Sequence, residues 1–257
     1  MSELKINAKD VEQKLIRFIR QQTRAAGFKK ALVGLSGGLD SSLVVYLCQK
    51  ALGRENTFAL ILPYKTTPSE TIHHAKLIAR KYQLKARLIE LTAQIEAYFK
   101  NFPDADKIRR GNKIARERMS ILYDQSKEFN ALVVGTSNKS EILLGYGTIY
   151  GDLACAFNPL GSLYKTQVRQ LAKEVGIPAP ILAKTPSAEL WPGQTDEGEL
   201  GLTYARVDRL LYYLVDRKFS DQKLIRLGFK KSFIDKVKTR IAENSFKRHL
   251  PAIAKVY

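Results

Sequence analysis

Residues 34–42 combine small side chains with a carboxylate in a pattern suited to binding phosphate. They read Gly-Leu-Ser-Gly-Gly-Leu-Asp-Ser-Ser and directly follow the apolar run Ala31-Leu32-Val33. A helical pattern begins at once after them, which predicts a buried strand, a tight polar loop and a helix in succession. Glycines let a backbone wrap closely around a ligand, and the unpaired N–H groups at a helix start attract anions. The segment therefore predicts an anion site, most often one for phosphate.

Asp40 adds a metal ion to this prediction. Its carboxylate would repel a polyphosphate unless a cation lay between the two. Mg²⁺ is usually held by one or two carboxylates together with phosphate oxygens. We therefore expect Asp40 to bind Mg²⁺. The structural alternative is that the Ser and Asp residues only cap a helix.

Two other known patterns fit the same loop less well. A Walker loop needs a Lys after its last glycine, and none follows Gly38. Residues 34–38 also match the G-x-S-x-G turn of α/β-hydrolases, in which Ser36 would be a nucleophile. That turn has no use for Asp40. The three histidines are also poor partners, because two lie on a polar helical pattern and the third lies near the C-terminus.

The run from Ser36 to Ser42 resembles the pyrophosphate loop of enzymes that cut ATP between its α- and β-phosphates. That superfamily includes NAD synthetase, GMP synthetase, argininosuccinate synthetase and tRNA-modifying ligases. Further segments narrow the resemblance: residues 112–119, 135–141, 145–152, 158–166 and 184–197. In this order and at this spacing they resemble NAD synthetase over nearly the whole chain.

The resemblance implies ATP-dependent amidation of nicotinic acid adenine dinucleotide (deamido-NAD) with ammonia. The products would be NAD, AMP and pyrophosphate, in the final step of NAD biosynthesis. The nicotinate carboxylate would attack the α-phosphate to form an acyl-adenylate, and ammonia would then displace AMP. Both steps gather negative charge, so positioned cations and backbone N–H groups are expected to supply most of the catalysis.

The resemblance also implies roles for single residues. Asp40 and Glu141 would hold Mg²⁺. The residues expected to bind ATP are Gly34, Leu35, Ser36, Gly37, Gly38, Leu39, Asp40, Ser41, Thr136, Lys165 and Ser187. Arg116 and Lys247 would bind deamido-NAD. Asp152 would lie near the nicotinate or the ammonia, and a capping role for it is equally open.

Two positions depart from relatives in the expected substrate contacts. Phe246 stands where some members have His, and Ile149 stands where some have Lys. The nitrogen source also follows from the resemblance, because glutamine-dependent members carry a further amidase domain with a catalytic Cys. Cys48 and Cys155 are both surrounded by apolar residues and are poor nucleophile candidates. We therefore expect direct use of ammonia.

Short apolar runs alternate with helical patterns through the first half of the chain. Strands are expected at residues 31–35, 57–62, 87–91 and 131–135, and helices at 10–26, 41–52, 69–82, 92–100 and 107–128. This alternation predicts an α/β fold with a Rossmann-like parallel sheet flanked by helices. Ligands bind at the carboxyl ends of strands in such sheets. The loops after the first and fourth strands are therefore expected to face each other.

The second half is predicted to be mostly helical. Helices are expected at residues 163–175, 205–217, 221–227 and 232–243, so that residues 205–257 form a helical C-terminal part of one 257-residue domain. Residues 178–202 are rich in Pro and Gly, which predicts a mobile loop that closes over the ligand. The resemblance further implies a homodimer, with residues 107–128 and 146–157 as candidates for its interface.

Composition leaves one main alternative. A formal net charge of +18 requires anionic partners or a solvated basic surface, and an RNA-modifying ligase with the same loop would use it to hold tRNA. Such an enzyme would be expected to have a basic appendage or paired cysteines, which the sequence does not suggest. We therefore expect no nucleic acid partner. The chain also has no apolar run of about 20 residues and no signal pattern, so a cytoplasmic protein without membrane contact is expected.

Overall fold

Four parallel strands form one sheet in the computed structural model, which describes residues 2–187, 189–191 and 193–256. They are β1 (Ala31–Gly34), β2 (Thr57–Ile61), β3 (Lys85–Leu88) and β4 (Leu132–Val134), in the spatial order β3-β2-β1-β4. Ala31 is opposite Thr57 on one side and Leu132 on the other. The chain leaves β1 toward β2 and returns to the opposite side for β4. This reversal opens a crevice at the carboxyl ends of β1 and β4, which is where ligands bind in such sheets.

Helices cover both faces of the sheet and form a second, smaller core beyond it. They are α1 (Ala8–Ala25), α2 (Leu39–Leu52), α3 (Ser69–Lys81), α4 (Thr92–Phe99), α5 (Lys107–Phe129), α6 (Lys139–Leu144), α7 (Lys165–Glu174), α8 (Ala179–Ala183), α9 (Asp196–Leu200), α10 (Tyr204–Leu211), α11 (Asp221–Arg226) and α12 (Lys231–Glu243). Helices α1, α2 and α7 share one apolar core with the sheet, whereas α4 and α5 pack on its other face. Helices α10 to α12 pack with residues of α6 in the second core. No helix among the described residues is long and apolar enough to cross a membrane.

The predicted α/β class and the helical C-terminal part are confirmed. Three details differ. The third strand is Lys85–Leu88 rather than 87–91, because its exposed residues form an edge whose extent follows pairing with β2 and not apolar content. Helix α6 was not among the predicted helices, and it is stabilised by a capping box of Asn138 and Glu141. Residues 178–202 contain α8 and α9, which are too short to give a periodic signal.

The turn between β1 and α2 depends on one glycine. Gly37 has a φ of +77°, in the left-handed region, and a Cβ there would lie 2.3 Å from the backbone oxygen of Thr71 in α3. The loop therefore packs directly on α3. Helix α2 then begins at Leu39 with Gly38 as its N-cap. Gly37 thus sets both the direction of the loop and the start of the helix.

Replacing Gly37 with Ala should destabilise the protein more than a glycine substitution that meets open space. The matched control is Gly176→Ala, because Gly176 has a φ of +74° and no atom within 4 Å of the added Cβ. The left-handed conformation costs roughly 1–2 kcal/mol in either variant, and the clash at Gly37 adds roughly 1–3 kcal/mol. Urea unfolding of both variants measures the difference. Equal free energies of unfolding would contradict this packing.

Candidate active site

A cavity of about 570 Å³ opens where the sheet crevice was expected. Its walls are formed by parts of residues 34–42 (hereafter the phosphate loop), the end of β4, α5, residues 145–152 and the segment after α8. Of the residues that the sequence predicted for the site, Gly37 and Arg116 are not among those lining it. Thr136, Ser187 and the Asp40–Glu141 pair all are. The structure therefore gathers most of the predicted site around one cavity.

Serine side chains hold the phosphate loop in shape. The hydroxyl oxygens of Ser36 and Ser41 lie 2.9 Å apart, and the Ser41 hydroxyl donates to the Gly38 carbonyl at 3.2 Å. The Gly38 N–H donates to Ser36 Oγ at 3.2 Å. Every hydrogen bond of Ser36 within the described residues stays inside this loop. Without an imidazole partner, Ser36 is not the nucleophile that the α/β-hydrolase interpretation requires.

A lysine lies between the two carboxylates predicted to bind metal. Lys165, the first residue of α7, has its Nζ 2.5 Å from Asp40 Oδ2 and 3.2 Å from Glu141 Oε1. Asn138 donates to the other oxygen of Asp40 at 3.0 Å. The Lys165 side chain is 8% exposed and each carboxylate side chain 15%. The loops after β1 and β4 therefore do face each other, and an ion-paired centre joins them.

The electrostatics of this centre favour a second cation. Burial raises the pKa of Glu141; Lys165 opposes this rise, while Asp40 and Asp196 add to it. Burial opposes the charge on Lys165, yet Asp40, Glu141 and Asp196 together hold its pKa above the ordinary lysine value. Asp196 is buried, and its Oδ1 has no hydrogen-bond partner in the described part of the chain. Because these carboxylates outnumber the ammonium, the centre retains negative charge that a further cation would offset.

Asp208 fixes the backbone beside this centre, and it was not among the predicted site residues. The fully buried Asp208, on α10, accepts from the Ser140 hydroxyl at 2.5 Å and from the Thr166 N–H at 2.8 Å. The Lys165 N–H in turn donates to Ser140 Oγ at 3.0 Å. One carboxylate therefore aligns the starts of α6 and α7, which carry Glu141 and Lys165. The available signal was a charged residue within an apolar helical face.

Asp152 and Lys247 lie together in the cavity wall. Asp152 lines the cavity, and its Oδ1 accepts from the Thr148 N–H at 2.8 Å. Asp152 is an exposed residue, yet desolvation by the protein around its carboxylate raises its pKa, against the opposing effects of Thr148 and Lys247. The Lys247 ammonium donates to the carbonyls of Gly145 and Gly147 at 2.8 and 3.0 Å. The C-terminal segment thereby supports the loop that carries Asp152.

The two arginines of α5 take different positions. Arg116 is exposed and donates to the Ile149 carbonyl at 3.2 Å, away from the cavity lining. Arg118 lines the cavity and donates from Nε to the Leu62 carbonyl at 3.0 Å. Residues two apart on a helix are related by a rotation of about 200°, so they point in nearly opposite directions. In the single chain it is therefore Arg118 that lines the cavity, although Arg116 was the predicted site residue.

The segment predicted to be a lid folds over the cavity. The Ser187 hydroxyl donates to the Gln194 carbonyl at 2.7 Å and so links two described parts of this segment. Lys184 pairs with Glu189 at 2.7 Å, and the Thr71 hydroxyl of α3 donates to Glu189 at 2.9 Å. Ala188 and Pro192 lie outside the described residues. The position fits a cover for the cavity, and its mobility stays a prediction.

A phosphate loop at the reversal point of a parallel sheet, with an acidic centre beside it, defines a nucleotide-binding α/β protein. Residues 11–251 match the family described as NAD synthase, so the chain belongs to the NAD synthase family. A Trichlorobacter lovleyi protein named NH(3)-dependent NAD(+) synthetase is 51% identical over 256 residues, covering 100% of this chain and 94% of that protein.

Solved structures agree with this assignment. The NH3-dependent NAD synthetase from Campylobacter jejuni, in complex with the nitrate ion, has a TM-score of 0.83 and 36% identity, covering 97% of this chain and 100% of that one. The NMN synthetase from Francisella tularensis has a TM-score of 0.86 and 30% identity, covering 98% and 100%. The family resemblance expected from the sequence is thus confirmed.

Replacing Glu141 with Gln should remove a pH dependence of stability. A raised pKa means that the folded protein binds the Glu141 proton more tightly than the unfolded chain does. The stability that this tighter proton binding provides is therefore fully present at pH values below the ordinary pKa of 4.5. It is lost as pH rises through the folded-state pKa. The variant should gain stability relative to the wild type as pH rises from about 4.5 toward neutrality. Urea unfolding in EDTA across this range measures the difference.

Glu117→Gln is the matched control, because Glu117 pairs with Lys113 on α5 outside the acidic centre. The difference in free energy of unfolding between Glu117→Gln and the wild type should not rise with pH. A Glu141→Gln difference that stays constant or falls with pH would show that Glu141 ionises as freely in the folded protein as in the unfolded chain.

Proposed function

We propose that this chain is an ammonia-dependent NAD synthetase, which amidates deamido-NAD at the expense of ATP and releases AMP and pyrophosphate. The observation that carries the proposal is the arrangement of the cavity. The phosphate loop and the Asp40–Lys165–Glu141 centre occupy one part of its wall, and Asp152 occupies another. Full-length identity to a protein named for this reaction supports it.

The chemistry accounts for the parts of the cavity. A carboxylate is a poor electrophile, because its charge repels a nucleophile and oxide is a poor leaving group. Adenylation of the nicotinate carboxylate solves this, since AMP can then leave when ammonia attacks. The N–H groups of the phosphate loop and the Lys165 ammonium would hold the phosphates of ATP through this step. Thr136 and Ser187 would contribute hydroxyls to the same nucleotide.

We propose that Asp40 and Glu141 also hold Mg²⁺, and their surroundings fit such an ion. The buried Oδ1 of Asp196 lacks a partner among the described residues, and the carboxylates outnumber the one ammonium between them. No group of three or more His, Cys, Asp or Glu in the described ranges could hold a metal ion. Phosphate oxygens would have to complete the ligand set, as is usual for Mg²⁺. When bound, the ion would offset charge on the departing pyrophosphate.

Asp152 is our proposed base for the amidation step. Ammonia is mostly protonated at neutral pH, so the site must accept a proton before nitrogen attacks. The pKa of Asp152 is raised by burial, which brings it closer to the working pH and favours proton transfer. Asp152 lines the cavity, and its carboxylate is held by the Thr148 N–H.

We further propose a homodimer in which α5 contributes to the interface. The apolar side chains of Ile108 and Tyr150 are 60% and 63% exposed, and Tyr123 is 44% exposed. Arg116 lies on the exposed side of α5 beside Ile149. A deamido-NAD molecule bound near a two-fold interface would bring Arg116 into contact with substrate even though it lies outside the cavity of one chain.

A second candidate substrate is the corresponding mononucleotide, whose amidation would give NMN. The observation that favours it is the similarity to the Francisella tularensis structure. The dinucleotide is the first choice, because the full-length relative at 51% identity is named for NAD. The tRNA-modifying alternative has no support from these relatives.

The direct test mixes the protein with Mg-ATP, an ammonium salt and deamido-NAD and follows NAD, AMP and pyrophosphate. Stoichiometric NAD and AMP are expected without RNA. Parallel reactions with nicotinic acid mononucleotide should run at least tenfold slower in kcat/KM. AMP that appears only when RNA is added would contradict the proposal, and a preference for the mononucleotide would change its substrate.

The same assay separates the role of Asp152 from that of the ATP site. Asp152→Asn keeps the acceptor for Thr148 but cannot take a proton. It should slow amide formation by about 100-fold and leave deamido-NAD-dependent exchange between pyrophosphate and ATP within a few-fold. Asp104→Asn, in an exposed loop, is the control. Equal loss of both steps, or of neither, would remove Asp152 from the role of base.

A further inference from the structure

Arg118 lines the cavity but does not belong to the Asp40–Lys165–Glu141 centre. Its side chain is partly exposed, and the residue lines the cavity together with its α5 neighbours Ala115, Met119 and Leu122. Met119 and Leu122 belong to the apolar core between α5 and the sheet, and Ala115 is also buried. A guanidinium in such apolar surroundings is unusual, because burying charge beside apolar groups is costly unless a partner offsets it.

The protein supplies only part of what this guanidinium needs. Arg118 donates from Nε to the carbonyl of Leu62, just beyond β2, at 3.0 Å. In residues 2–187, 189–191 and 193–256 it forms no ion pair and no other hydrogen bond. A guanidinium has five N–H donors, so its outer fork is left without protein acceptors in the described part of the chain. Arg109 and Arg110, on the same helix, instead stack on aromatic rings.

Two acidic groups, Asp152 and Glu189, attract Arg118 electrostatically without pairing with it. Burial lowers the pKa of Arg118, and Asp152 and Glu189 oppose that effect through longer-range attraction. Glu189 is paired with Lys184 at 2.7 Å, and Asp152 accepts the Thr148 N–H at 2.8 Å. Neither of these two carboxylates forms an ion pair with Arg118. An anion that enters the cavity would therefore find a positively charged fork without a competing partner.

We propose that Arg118 binds an oxyanion of the reacting substrates, through the two terminal nitrogens of its guanidinium. This inference rests on the proposed function and extends it. A planar guanidinium matches a phosphate or a carboxylate with two parallel hydrogen bonds. In this cavity the oxyanion comes either from the α-phosphate of ATP or from the carboxylate of deamido-NAD. In both cases Arg118 offsets negative charge where the two substrates meet.

The first experiment compares Arg118→Gln and Arg118→Lys with Arg109→Gln as the matched control. Arg109 is exposed on α5 and packs on Phe102 outside the cavity. Loss of a positioned donor to a developing charge typically costs about 100- to 1,000-fold in rate. Arg118→Gln should lose at least 100-fold in kcat/KM, Arg118→Lys should recover part of this loss, and Arg109→Gln should stay within twofold of the wild type.

Equilibrium binding separates the two sources of the oxyanion. If the group is a phosphate, Arg118→Gln weakens calorimetric binding of ATP and AMP and leaves deamido-NAD unchanged. If the group is the carboxylate, the variant binds deamido-NAD at least tenfold more weakly, whereas binding of NAD, which lacks this charge, is unchanged. Either pattern supports the proposal. Unchanged binding of all four ligands together with unchanged kcat/KM overturns it.

Chemical rescue guards against a purely structural effect. Added guanidinium ion at millimolar concentration should restore activity to Arg118→Ala and should not stimulate the wild type. If the Gln and Ala variants fail to fold, the decision rests on Arg118→Lys, for which wild-type affinity and rate would overturn the inference. A wild-type protein that forms no NAD, but whose ATP binding still depends on Arg118, would contradict the proposed function and leave the anion site standing.

Discussion

The ion-paired contact of Lys165 with Asp40 and Glu141 is the interaction on which the rest of the site depends. Its three members come from α2, α6 and α7. Two carboxylates so close together would repel each other in a half-buried position, and the ammonium makes their approach stable. The same contact joins the loops after β1 and β4, across the reversal point of the sheet. A change to any one of these side chains therefore alters the charge balance of the whole centre.

The surrounding structure keeps that contact in place from two directions. On the side of the C-terminal core, Asp208 accepts hydrogen bonds from Ser140 and Thr166. These bonds align the starts of the helices that carry Glu141 and Lys165. From the other direction, the segment after α8 brings the buried Asp196 toward the same centre. The C-terminal helices are thus more than a cover for the sheet. Through Asp208 they position Glu141 and Lys165, which would otherwise not be held in contact.

Much of the fold and the phosphate loop could be predicted because their signals are local. Periodicity marks β1 and α2, and the small residues between them mark a loop that wraps a ligand. The position of Lys165 could not be read in this way, because it contacts Asp40 across 125 residues of chain. Asp208 was hidden inside an apolar helical pattern. Arg116 and Arg118 look alike in sequence, and the way in which α5 packs on the sheet decides which of them faces the cavity.

The central role of the Lys165 contact is tested most directly by comparing the affinities of the wild type and of a Lys165→Met variant for Mg²⁺ alone and for Mg-ATP. If the ammonium balances the two carboxylates and also pairs with phosphate, the variant should bind Mg²⁺ alone at least tenfold more tightly than the wild type. The same variant should bind Mg-ATP at least tenfold more weakly. Equal affinities of the two proteins for both ligands would contradict the central role of this contact.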